Sequence, residues 1–274
     1  MKSGKGRQAI LITAGVIAVV IMLLPIYIMV LSSFKPLSRI FDLVLLPSPA
    51  SLTLDNYRQV LVSENFPHYI GNSLFVAVTV TVVALFFHST AGYALARLRF
   101  PGRQLIFVWI LSTLMVPFAV IMIPLFILVR NLGITNSLWG IILPAIPHAY
   151  GIFLFRQFYL GIPRELEESA MMDGLSHYGI FFRIVAPLST AIAVTLAVAF
   201  FVANWNNYLW PLIVTQKQSL WVIQIAIANF RGERMIAWNL VLAASCITII
   251  PTVVIFLVFQ RYLVEGIKMS GIKM

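Results

Sequence analysis

"ELEESAMMDGLSHYGIFFRIVAP", Glu165 to Pro187, is a strongly acidic break in an otherwise apolar chain. It holds four of the nine acidic residues of the chain (Glu165, Glu167, Glu168 and Asp173), yet it lies between two segments apolar enough to span a bilayer. Ile162 and Pro163 lead into a run of good helix formers with acids at its start, where the helix dipole favours them. Pro163 suits a first helical turn, and Gly174 suits the left-handed residue that ends a helix. Spacing places Ile162, Leu166 and Ala170 on one face and Glu165, Glu168 and Met172 on another. A second helix is expected from Ser176 through "HYGIFFRIV" to Pro187. The pattern predicts a helix–glycine–helix elbow whose first arm has about ten residues.

One reading of the elbow is an amphipathic connector lying on lipid headgroups. Interfacial helices carry Lys and Arg on the polar face, whereas this one is acidic and is repelled by anionic lipid. Docking into a complementary groove of another protein is the better account.

Composition sets the surroundings. The chain has 274 residues, is 61% hydrophobic and only 10% charged, with a mean hydropathy of +0.96. That is a membrane protein's composition. A net charge of +10 is accounted for by basic cytoplasmic loops facing anionic lipid, and nucleic acid is not an expected partner. The single cysteine, Cys246, excludes an intrachain disulfide and a thiol metal site. No phosphate-binding GxxxxGK[ST] loop is present, so any ATP (and its magnesium) is expected on a partner chain. No cofactor or metal is expected in this one.

Six spans are read from the runs free of Asp, Glu, Lys and Arg: approximately 10–31, 70–96, 104–129, 138–155, 185–208 and 236–260. The first has 22 residues, about 33 Å of helix against a hydrocarbon core of about 30 Å. It is too long for a signal-peptide core and is read as a retained anchor. Residues 156–184 form the cytoplasmic loop that contains the elbow. The whole chain, 1–274, reads as one all-α membrane domain.

With the N-terminus inside, the cytoplasmic side receives Lys2, Lys5, Arg7, Arg97, Arg99, Arg103, Arg156, Arg164, Arg183, Arg261, Lys268 and Lys273, which is 12 of 19 basic residues. The positive-inside rule therefore favours cytoplasmic termini. Between the first two spans, Pro36, Pro47 and Pro49 provide turn chemistry. "TLDNYRQVL" then predicts a short external helix capped by Thr53, with Leu54, Tyr57 and Leu61 on one face.

The elbow resembles the EAA loop of bacterial ABC importer permeases, E-A-A-x-x-x-G followed by I-x-L-P. Glu168, Ala170, Gly174, Ile184 and Pro187 fall in register, and Asp173 precedes the glycine as in sugar importers. Ser169 replaces the middle alanine, and Ala186 replaces the usual leucine. "SSFKP", "LDNYRQVL", "NSLFVAVTVT", "GYALARLRFPGR" and "WNNYLWPL" extend the resemblance along almost the whole chain, to the second permease subunit of maltose-type carbohydrate importers. The resemblance implies the type I importer permease fold in the bacterial inner membrane, with no catalysis in this chain. It also implies a second permease, an ATPase dimer and an extracytoplasmic solute-binding protein as partners. Glu165, Glu168, Ser169, Ala170, Asp173, Gly174 and Pro187 are then the surface that couples to the ATPase. The tail "VEGIKMSGIKM", with Ile272 and Lys273, resembles the family's ending that reaches the ATPase pair.

"ANWNNYLWPL", Ala203 to Leu212, places Asn204, Asn206, Asn207 and Tyr208 near the outer end of the fifth span. Amides and aromatic rings suit a sugar pathway, because rings stack on sugar faces and amides bond hydroxyls. A structural belt of Trp and Tyr at the interface stands level with that reading. His88 and His148 read as packing residues, since no intramembrane carboxylate is available to form a relay. Pro117, Pro124, Pro144 and Pro147 are either kinks or the bend on which alternating access turns. Residues 216–235 are either a docking loop for the binding protein or a re-entrant packing loop.

A permease for a carbohydrate or polyol is the resulting expectation. Glycerol-phosphate-type anions are the nearest alternative, and an ion-coupled secondary transporter is a more distant one, because it needs intramembrane charges.

Overall fold

The computed structural model describes residues 3–42, 48–232 and 236–271. Lys2, Pro47, Ile272 and Lys273, which figure in the sequence reading, lie outside the described residues. In chain order the helices are α1 (Ser3–Ser33), α2 (Asp55–Arg58), α3 (Phe66–Arg97), α4 (Arg103–Ser112), α5 (Phe118–Asn131), α6 (Leu138–Ala145), α7 (Ala149–Leu160), α8 (Glu165–Met172), α9 (His177–Ile180), α10 (Ala186–Leu188), α11 (Thr190–Trp205), α12 (Leu209–Val214), α13 (Ile223–Asn229) and α14 (Trp238–Gly271).

Among the described residues, four helical stretches are long and apolar enough to cross a membrane: Ile10–Ser33, Phe66–Arg97, Leu138–Leu160 and Trp238–Tyr262. Two bent pairs bring the number to six if each is one span. The run read as 104–129 is one of them. Arg103–Met115 and Phe118–Asn131 meet at 106°, because Pro117 drives Val116 into extended backbone (φ −90°, ψ 114°). The run read as 185–208 is the other: His177–Leu188 and Thr190–Trp205 meet at 75°, with Ser189 off helical geometry between them (φ −89°, ψ 10°). The fourth span extends to Leu160 and is interrupted near Pro147.

Backbone contacts group the chain into two compact units, residues 1–67 with 226–250 and residues 68–225 with 251–274. In the first unit α2 buries Asn56 and the π turn that follows it, Gln59–Ser63, buries Val60, while Leu54 and Leu61 are exposed. The expected Leu54–Tyr57–Leu61 face is thus corrected. The reason is polar: Asn56 Nδ2 donates to the carbonyls of Ser33 (2.8 Å) and Lys35 (2.9 Å), satisfying chain leaving the end of α1. Its Oδ1 accepts from Asn239 Nδ2 at 2.8 Å. Leu54 occupies the N-cap position of α2, one residue later than expected, and the Thr53 hydroxyl accepts the Asp55 N–H at 3.1 Å.

In the second unit α3 and α7 approach closely through Gly92. A Cβ there would lie 2.7 Å from Phe155 Cβ, so no larger residue fits this crossing. Tyr93, Ala96, Phe155, Tyr159, Ile180, Phe181, Val185 and Leu196 form one buried core around it. The C-terminal end of α3 is held by arginines from both sides. Arg156 Nε donates to the Leu95 carbonyl (3.2 Å) and Arg103 Nη1 to that of Leu98 (3.0 Å), meeting carbonyls that have no intrahelical donor.

Candidate functional site

The elbow forms as its residues dictate. Glu165, Glu167 and Glu168 occupy the first turn of α8, where unpaired N–H groups favour negative charge. Ser169 Oγ donates back to the Glu165 carbonyl at 2.7 Å. At the other end Gly174 adopts φ +83°; its N–H donates to the Met171 carbonyl and that of Leu175 to the Ala170 carbonyl, both at 3.0 Å. This is the complete two-bond left-handed stop, with Leu175 packed towards the same core as Ala170. Ser176 caps the next helix by accepting the Gly179 N–H at 3.3 Å. That helix continues from α9 through a π turn, Phe181–Val185, into α10. Pro187 has no N–H to return to the preceding turn, and the wider turn ahead of it absorbs that loss.

Two details of the sequence reading change. The first arm has eight residues and begins at Glu165, so Pro163 stands before it rather than in its first turn. The expected Ile162–Leu166–Ala170 face is also not the buried one: Leu166 is 45% exposed, and α8 buries Glu167 and Ala170. Outward face Glu165, Glu168, Ser169, Asp173 and Gly174, together with the bulky apolar Met172, Tyr178 and Phe182. Exposed apolar side chains rimmed by acids are the make-up of a docking surface.

Sequence reasoning missed the role of Glu167. Its Oε1 lies 2.8 Å from Nε of Arg97, with the two side chains 10% and 6% exposed. Tyr93 donates its hydroxyl to Oε2 at 3.3 Å, and Arg97 Nη2 donates to the Ile162 carbonyl. The available signal was the i, i+3 spacing of Glu167 with Ala170, which puts one acid on the core face. A cleft of about 340 Å³ opens beside the pair, lined in part by Arg99, Arg164, Glu168 and His177.

A second cavity, of about 370 Å³, is lined by Asn204, Asn207, Trp210, Thr113, His148 and Phe118, among others. Of the four candidate pathway residues it gathers two. Asn206 is exposed, donates to the Val202 carbonyl (2.9 Å) and accepts from Gln224 (3.2 Å), and Tyr208 is 40% exposed outside the lining. Trp205 and Trp210 are buried at 1% and 2%, and Trp210 Nε1 donates to the Gly140 carbonyl at 3.2 Å. Both tryptophans are therefore core residues rather than a lipid-facing belt. The cavity wall carries no Lys, Arg, Asp or Glu among the described residues.

His88, 1% exposed, spans the interruption at Pro147. Its Nε2 is 2.9 Å from the Ile146 carbonyl oxygen and 3.1 Å from the His148 backbone nitrogen. It packs onto Gly151, as a structural histidine does. The start of the 216–235 segment is pinned to α3: Asn72 donates to the carbonyls of Ser219 (3.0 Å) and Trp221 (2.9 Å), and Ser73 Oγ accepts the Ile223 N–H at 2.7 Å. These bonds favour the packing-loop reading for that part. Among the described residues no three His, Cys, Asp or Glu side chains gather as a metal site requires.

Residues 88–269 match the family model described as the binding-protein-dependent transport system inner membrane component. The chain is 36% identical over 252 residues to the arabinooligosaccharides transport system permease protein AraQ of Halalkalibacterium halodurans, covering 91% of this chain and 90% of the relative. It is 36% identical to the lactose transport system permease protein LacG of Rhizobium radiobacter, covering 77% and 78%. Identity is 33% to the sn-glycerol-3-phosphate transport system permease protein UgpE of Salmonella typhi, covering 92% of each. In fold the chain is similar to a chain of a bacterial ABC transporter involved in import of the acidic polysaccharide alginate. The TM-score is 0.83 at 23% identity, over 96% of this chain and 98% of that one.

Proposed function

The chain belongs to the family of binding-protein-dependent transport system inner membrane components, and from that membership we propose how it works within a bacterial ABC importer for a carbohydrate or related polyol. It forms half of the translocation pathway beside a second permease, and both termini face the cytoplasm. A solute-binding protein delivers from outside, and a pair of ATPase subunits, which bind ATP and magnesium, docks on the elbow from inside. The coupling surface is Glu165, Glu168, Ser169, Asp173 and Gly174, with Ala170 and Pro187 setting its shape. ATPase closure moves the elbow, and the bent helices carry that movement to the cavity.

The carrying observation is the elbow. A rigidly stopped, outward-facing acidic helix in register with an importer motif has no use in a bare connector. The uncharged cavity supports a neutral solute: Asn204 and Asn207 offer amide hydrogen bonds and Phe118 an apolar face, and no fixed cation among the described lining residues meets a phosphate or carboxylate. Pathway residues are accordingly Asn204 and Asn207, while Asn206 and Tyr208 support the rim.

The test is ATPase stimulation in the complete complex with its binding protein. An arabinose oligosaccharide, lactose and sn-glycerol-3-phosphate are compared. Stimulation by a neutral sugar is expected. Stimulation by the anion alone would overturn the solute class.

A further inference from the structure

We propose that Arg97 and Glu167 are positioning residues that clasp the elbow to the cytoplasmic end of α3, so that the two move as one body when the elbow is pushed. The inference rests on the coupling reading above. It starts from how little else holds α8: this eight-residue helix inserts two side chains into the protein, Glu167 and Ala170. Ala170 contributes one methyl group. The other anchor is a carboxylate, and its orientation is set by groups from outside α8. Arg97 faces Oε1, Tyr93 bonds Oε2, and the same guanidinium bonds the Ile162 carbonyl just ahead of the helix.

Stability does not explain such a pair. Apolar residues of similar volume serve a buried site as well or better, because removing two charges from water offsets most of their attraction. What a buried pair supplies is direction, since its attraction and hydrogen bonds are satisfied in one arrangement only. The neighbouring acids divide accordingly. Glu165 and Glu168 are exposed and available to a partner, whereas Glu167 is turned inward to its own chain. Arg103 and Arg156 fix the end of α3, so the clasp ties the elbow to an element that is itself held. The second arm is already packed through Ile180, Phe181 and Val185, whereas α8 without the pair would be held by Ala170 and its flanking chain alone and would yield when pushed.

The experiment reads conformational coupling without needing the solute. The complete complex, with its ATPase and binding protein, carries Thr113→Cys in the cavity wall and is labelled with a maleimide. The native Cys246 is buried. ATP with vanadate is expected to change the labelling rate in this parent. Glu167→Gln and Arg97→Gln each strand one buried charge, and each is expected to reduce that change by about tenfold while the ATPase still co-purifies and hydrolyses ATP. The double variant strands no charge and keeps amides able to bond each other, so it is expected to recover most of the response. A purely structural pair would lower membrane amounts and leave the response per assembled complex intact.

A parent without an ATP-driven change fails the coupling reading itself. A parent that responds, with single variants responding as much, overturns the clasp alone, as does a double variant no better than the singles. If a single variant does not reach the membrane, Tyr93→Phe carries the test, because it removes one hydrogen bond and keeps the ion pair. A two- to threefold smaller response, about the value of one weak hydrogen bond, supports the clasp, and an unchanged response overturns it.

Discussion

Gly174→Val tests whether the elbow transmits force. Gly174 sits at φ +83°, and beyond its chain neighbours no atom lies within 4 Å of the place a β-carbon would take, so a β-carbon there meets no tertiary neighbour. Its cost is conformational, about 1–2 kcal/mol for a side chain forced into the left-handed region, and more for a β-branched one. A shift of that size is about 5- to 30-fold in a local equilibrium, while whole domains have about 5–15 kcal/mol of stability. The chain should therefore insert and accumulate. Its two-bond helix stop should be depopulated, and α8 re-aimed against whatever it docks on. Gly102 provides a matched control: it has φ +79°, equally open space and a place in the turn between α3 and α4, outside the elbow. The local penalty is the same, so any difference between the two variants belongs to the elbow. Uptake measured beside immunoblotted membrane amounts and ATPase co-purification should show at least about a fivefold loss per copy for Gly174→Val, matching the local shift. Gly102→Val should stay near wild type. Normal uptake by Gly174→Val, or equal losses in both, would reduce the elbow to a connector.

Two further outcomes are expected. Asn207→Leu should raise the half-saturating solute concentration by about tenfold, the effect of one lost hydrogen bond with a burial penalty. Asn206→Leu, outside the cavity lining, should leave it within about twofold, as surface substitutions usually do; equal effects would remove the cavity from the pathway. For topology, cysteines placed at Gly102 and Ser176 should react only with reagents that enter the cytoplasm, and those at Ser51 and Asn136 with reagents added outside. External labelling at Ser176 would end the docking account.

The legible features were those whose physics is local. Apolar runs announce spans, because a bilayer tolerates almost no charge at its centre. Gly174 and Ser176 announce the elbow, because a helix stop and an N-cap are satisfied by residues a few positions away. Even the placing of the acids at the helix start followed from the run between Pro163 and Gly174, with that start displaced by less than one turn.

What the tertiary structure alone decided was which side each polar group faces and what it meets there. Glu165, Glu167 and Glu168 are chemically alike. Only the arrival of Arg97, 70 residues earlier in the chain, makes the middle one a buried partner. Asn56 displaced the expected apolar face of α2 in the same way, because the carbonyls it bonds belong to Ser33 and Lys35. In "WNNYLW" the tryptophans turned inward, and neighbouring asparagines parted between cavity and rim. Prolines marked where helices could yield but not which would: Pro117 stands at the 106° bend, whereas Pro124 and Pro144 lie inside helices. Hydropathy and capping act over one or two turns. A charge or an amide is resolved by partners that only the folded chain brings within reach.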